Sequence, residues 1–93
     1  MDKKTEASLE VLYKAATNLK DEEDARLFFK TLLTDKETQL IAQRLYVAKL
    51  LSEDKVYSEI VEETGASSAT VSRVKRAVAC DPEFFEDMLN GVK

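Results

Sequence analysis

Tyr57-Ser58-Glu59-Ile60-Val61-Glu62-Glu63-Thr64-Gly65-Ala66-Ser67-Ser68-Ala69-Thr70-Val71-Ser72-Arg73-Val74-Lys75-Arg76 reads as two short helices meeting at a corner. Ile60 and Val61 mark the inner side of the first helix; Val71 and Val74 recur at helical spacing on the inner side of the second. Gly65 stops the first helix, because a residue without a Cβ enters the left-handed region freely. Ser67 or Ser68 then offers a hydroxyl to cap the second. Short helix, glycine turn and second helix together predict a helix-turn-helix over 57–76. Apolar contact across the corner leaves the far side of the second helix open. Ser68, Ala69, Ser72, Lys75 and Arg76 lie there, small or basic residues that suit a DNA major groove about 12 Å wide. Ser67, Thr70 and Arg73 complete the candidate reading surface, and Tyr57 and Ser58 begin the first helix where a DNA backbone would pass.

Charge follows the same division. The chain carries a net −4, yet residues 64–80 hold Arg73, Lys75 and Arg76 and no acid, which leaves −7 on the remainder. A basic helix in an acidic chain suits local phosphate contacts and excludes a protein that coats nucleic acid indiscriminately. Small side chains on its open face are also unusual, since solvated helices favour Glu, Lys and Gln.

Upstream, Leu9, Leu12, Tyr13, Ala16 and Leu19 repeat with helical period, and the spacing predicts a helix over about 8–20. Asp21 to Asp24 offers caps for a second helix with Ala25, Phe28, Phe29, Leu32 and Leu33 on one face, the two phenylalanines placed in the core. Thr34 and Glu37 form a capping box before a third helix reaching about Leu51, its stripe being Leu40, Ile41, Leu45, Ala48 and Leu51. Ser52 to Lys55 is a polar break. Val71, Val74 and Val78 carry the buried side of the fifth helix towards Cys80, and a sixth opens with Asp81 as its cap and Pro82 at its first position, with Phe84, Phe85, Met88 and Leu89 on one face, ending at Asn90-Gly91. The expectation is an all-α single domain spanning 1–93, built from six helices.

Composition narrows the function. Leu, Ile, Val and Phe account for 25 of 93 residues, enough for collapse, while a chain this short gains from dimerisation. With no histidine and one cysteine there is no ordinary general base, no zinc set and no internal disulfide, so neither catalytic nor metal-binding residues are assigned. Cys80, at the end of an apolar stripe, is expected to be a buried small side chain. The acidic run 21–24 lacks the alternation of a calcium loop. Tyr13 and Tyr46 are assigned to core or dimer contacts. No signal peptide or membrane span is evident, which places the expected site of action in the cytoplasm.

Leu33-Thr34 followed by Glu37, Arg44, Leu50-Leu51, Gly65-Ala66 and Ala69-Thr70-Val71-Ser72-Arg73 resembles the core of the tryptophan repressor family. The resemblance covers residues 33–78, about half the chain. It implies a six-helix fold, an intertwined homodimer in which helices within 5–33 supply most of the dimerisation, and a transcriptional repressor. Its expected partner is double-stranded DNA, a palindromic operator with half-sites one helical turn apart. It also implies a pocket for L-tryptophan or another small amino-acid-like corepressor, framed here by Thr34, Arg44, Thr70 and Arg73. Two positions depart from the family: Val74 stands in place of a glycine and would intrude on the indole space, and Ala77 replaces a serine that receives the ligand's amino group. Outside that resemblance, Arg44 also suits pairing with Glu37 or Glu62, and Arg73 a phosphate contact. The competing function class is a helical protein–protein interaction module that keeps the helix-turn-helix as scaffold and binds no DNA; a small enzyme has no catalytic pair to support it.

Overall fold

A computed structural model describes residues 1–92. Among the described residues there are six α-helices and no strand: α1 (Lys3–Ala16), α2 (Glu22–Leu32), α3 (Asp35–Ser52), α4 (Tyr57–Thr64), α5 (Ser68–Ala79) and α6 (Pro82–Leu89). They divide into two compact units, one ending at Thr34 and the other beginning at Asp35. No helix among the described residues is long and apolar enough to cross a membrane.

In the first unit, α1 starts earlier than its apolar spacing indicates. The Asp2 carboxylate accepts the Thr5 backbone N–H at 2.7 Å, which satisfies an amide left without an intrahelical partner. Asp21 does the same for α2 through the Asp24 N–H at 2.9 Å. Phe28 and Phe29 meet edge to face with centroids 5.6 Å apart, but both are only half-buried, and no residue of α1 or α2 is fully buried within this unit. Tyr13, read as a core or contact residue, is 63% exposed.

The second unit holds the buried core: Val47, Ala48, Leu50, Ile60, Ala66, Val71 and Val74, flanked by Leu51, Val61, Val78 and Leu89. It forms where α3, α4 and α5 pack on one another and α6 closes against α3 and α5. The α3 stripe is therefore buried only at its C-terminal end. Leu40, Ile41 and Leu45, which the periodicity places in the core, remain exposed, because α4, α5 and α6 meet α3 around Val47 to Leu51. Tyr46 is likewise exposed; its hydroxyl donates to Glu63 Oε2 at 3.2 Å, and that hydrogen bond together with the carboxylate's charge raises the phenol's pKa. Two further expectations are corrected. Cys80 is exposed, since it follows the buried Val71 by nine residues, half a helical turn out of phase, and its thiol donates to the Arg76 carbonyl at 3.6 Å. Asp81 precedes α6 but makes no side-chain cap: its backbone (φ −140°, ψ 60°) is outside the extended geometry that aims a carboxylate at the first amides.

Candidate nucleic-acid interface

The corner between α4 and α5 is built as its sequence requires. Gly65 has φ +73°, in the left-handed region, and returns its N–H to the Val61 carbonyl at 2.9 Å. Ala66 then turns inward and is 2% exposed. Ile60 and Val71 are fully buried on the two sides of the corner, and Val74 completes the seam.

Three polar contacts fix the turn, and composition does not reveal them. Thr64 Oγ1 donates to the Ile60 carbonyl at 2.7 Å and accepts the Ala66 N–H at 3.1 Å. From α3, Gln43 Nε2 donates to the Thr64 carbonyl at 3.1 Å, so the last carbonyl of α4 is satisfied from a neighbouring helix. A Gln on α3 looks like any solvated helix residue; only its place opposite the turn gives it this role.

Ser67 is the N-cap of α5. Its Oγ accepts the Thr70 N–H at 3.1 Å and its hydroxyl donates to Thr70 Oγ1 at 3.1 Å. Two of the candidate reading residues, Ser67 and Thr70, therefore spend hydroxyl capacity on the helix itself. Ser68, Ala69, Arg73, Lys75 and Arg76 are exposed, and Ser72 is half-buried beside them. Ala69, Arg73 and Arg76 fall opposite the Val71–Val74 seam by helical rotation, so the outward ridge of α5 is a methyl group followed by two guanidinium groups.

Among the described residues, Arg73, Lys75 and Arg76 have no carboxylate within ion-pair distance; the ion pairs lie at Lys14–Glu10, Arg26–Glu22 and Lys49–Glu53. Lys75 instead sits 5.6 Å from the centroid of the Tyr57 ring at the start of α4. Tyr57 is 36% exposed and Ser58 is exposed next to it. The exposed surface of α5 thus carries three cations with no carboxylate partner among the described residues.

Three of the four residues assigned to a ligand pocket, Arg44, Thr70 and Arg73, lie in the second unit. Arg44 on α3 and Arg73 on α5 are both exposed, Thr70 is half-buried and tied to Ser67, and Thr34 closes the first unit. Val74 is 9% exposed and belongs to the core, while Ala77 is exposed and carries no hydroxyl. No group of three or more Cys, Asp or Glu among the described residues is arranged to hold a metal ion.

A family model for the Trp repressor protein matches residues 7–93, nearly the whole chain. The chain belongs to the Trp repressor family. Over its full length it is 43% identical to the uncharacterised protein YerC of Bacillus subtilis, covering 89% of that protein. The crystal structure of a TrpR-like protein from Eubacterium eligens superposes with a TM-score of 0.82 at 37% identity, covering 90% of this chain and 87% of that one. A Staphylococcus aureus structure, provisionally described as a Trp repressor, gives 0.81 at 38% identity, with 90% and 84% covered. Trp repressor family and fold are those of a helix-turn-helix DNA-binding regulator, and α4 and α5 are that element here.

Proposed function

We propose that the chain is a sequence-specific transcriptional regulator of the repressor type, acting by binding rather than by catalysis. It works in the cytoplasm as a homodimer on a palindromic operator, all 93 residues serving one DNA-binding domain. The observation that carries this reading is the basic stretch of α5, where the exposed Arg73, Lys75 and Arg76 lack carboxylate partners among the described residues of a net-acidic chain. Arg76 and Lys75 anchor phosphates from the side of the helix, Arg73 reaches either a phosphate or a base, and Ser68, Ala69 and Ser72 approach base edges. Ser67 and Thr70 hold the helix start, Ser58 lies along the backbone, and Tyr57 stands beside Lys75 at the start of α4. The exposed apolar residues of α1 and α2, including Val11, Leu12, Leu27 and Leu32, support a role for the segment 5–33 in dimerisation. Symmetry then sets the half-sites about one helical turn apart.

The same reading includes no tryptophan switch. A valine side chain packed into the core at 74 takes the space that an indole needs, and the missing hydroxyl at 77 leaves an amino group without its acceptor. Arg44 and Arg73 are then a charge on α3 and a DNA contact rather than the two jaws of a pocket.

The test is fluorescence anisotropy on mixed genomic duplexes across a range of salt. The wild-type chain should bind with micromolar or tighter affinity at low salt and lose it steeply as salt rises, while a variant with Ala at 73, 75 and 76 should bind none of the duplexes. Equal binding by both proteins would remove α5 as the interface.

A further inference from the structure

Lys75 follows the buried Val71 by four residues, so its stem leaves α5 beside the core seam rather than from the middle of the exposed face. It there borders a groove of about 570 Å³ between α3, α5 and α6, whose lining residues include Glu53 and Glu86. An ammonium at such a position has an obvious alternative: it can turn into the groove and be neutralised. It does not. Glu53 is held by Lys49 at 2.6 Å, and Lys75 Nζ lies 5.6 Å from the Tyr57 ring centroid, within the roughly 6 Å over which a ring's quadrupole attracts a cation. A carboxylate would cancel the charge of Lys75; a ring attracts it and leaves it whole.

We infer that Tyr57 is a positioning residue for DNA binding, its ring holding the Lys75 ammonium on the α4 side of α5, away from Glu53 and Glu86, so that the charge faces a phosphate. This rests on the DNA-binding reading above. The ring, not the phenolic hydroxyl, does the holding, and it acts only through Lys75. Loss of the ring therefore lets Lys75 sample the groove in the free protein without removing it from the bound complex. An exposed pair of this kind corresponds to about two- to fivefold in affinity for each reading head, or about four- to twenty-five-fold for a duplex engaging two.

The experiment compares wild type, Tyr57→Phe, Tyr57→Leu, Lys75→Met and the Tyr57→Leu/Lys75→Met double variant on one duplex selected by wild type, with affinity measured against salt and thermal melts run alongside. Tyr57→Phe should match wild type within about twofold. Tyr57→Leu should weaken binding by about four- to twenty-five-fold at an unchanged salt slope, whereas Lys75→Met should lower the slope by about 0.9 for each head. In the Lys75→Met background, Tyr57→Leu should add nothing. In the free protein, the Lys75 ε-methylene protons should be shifted upfield by the ring in wild type and return to ordinary values in Tyr57→Leu. Tyr57→Phe as weak as Tyr57→Leu, an equal loss in the Lys75→Met background, or an unshifted ε-methylene would each overturn the inference. A wild-type chain that binds no duplex overturns the regulator reading instead, and the proton shifts still report on the pair.

Discussion

Replacing Gly65 by Ala tests the corner on which the interface depends, and its size can be worked out in advance. The residue has φ +73°, where an L-amino acid pays about 1–2 kcal/mol for contact between its Cβ and the following carbonyl. A Cβ built there would find its nearest neighbour, Gln43 Nε2, at 3.9 Å, an ordinary van der Waals contact, so no steric clash adds to the conformational cost. The stiffer alanine also restricts the unfolded chain and returns about 0.4–1 kcal/mol. The net loss is about 1 kcal/mol, which for a domain of this length lowers Tm by about 4–8 °C. Thermal unfolding followed by far-UV circular dichroism measures it, and Gly65→Asn, which tolerates the left-handed region better, should lose less. A fall beyond about 15 °C would show that the turn has no room for a methyl group, and no fall would show that φ at 65 is not positive in solution.

Three other outcomes follow from single features of the structure. Ile60→Ala empties a fully buried site in a core of seven buried residues and should cost about 2–5 kcal/mol, enough to lower Tm by more than about 10 °C; a smaller fall in a melt would place Ile60 outside the core. The Thr5 backbone N–H holds the Asp2 carboxyl below the usual aspartate range, so the cap stabilises α1 above the unfolded-state pKa and is lost as pH falls through the lower folded value. Asp2→Ala should thus be less helical than wild type near neutrality and indistinguishable from it in strong acid; a gap that persists in acid would contradict the cap. Isothermal calorimetry with L-tryptophan should give no saturable heat, because Val74 fills the core beside Arg73, and saturable binding would show that the valine yields.

Helix order was legible from periodicity and caps, since Gly65, Ser67 and Asp21 each act locally and their chemistry does not depend on distant partners. What periodicity does not report is which part of a stripe finds a neighbour. Leu40, Ile41 and Leu45 have the same spacing as Ala48 and Leu51, yet only the latter end of α3 is buried against α4, α5 and α6. Cys80 was misplaced for a related reason: an apolar stripe was extended past the residue at which its phase leaves the core. At the interface, the basic character of α5 was visible in composition, but the division of labour was not. Ser67 and Thr70 are drawn into a cap, Gln43 reaches across from α3 to finish α4, and Lys75 rests against Tyr57, all contacts between residues whose types alone suggest solvated surface.

The central claim, that α5 of this Trp repressor family member reads DNA sequence, is tested most directly by selecting duplexes from a random pool at low salt with no amino acid added, using wild type and Arg73→Ala/Arg76→Ala in parallel. The account predicts that wild type enriches one motif with twofold symmetry and half-sites about one helical turn apart, and that the variant enriches none. A wild-type selection that yields no motif, or the same motif recovered by the variant, would contradict it.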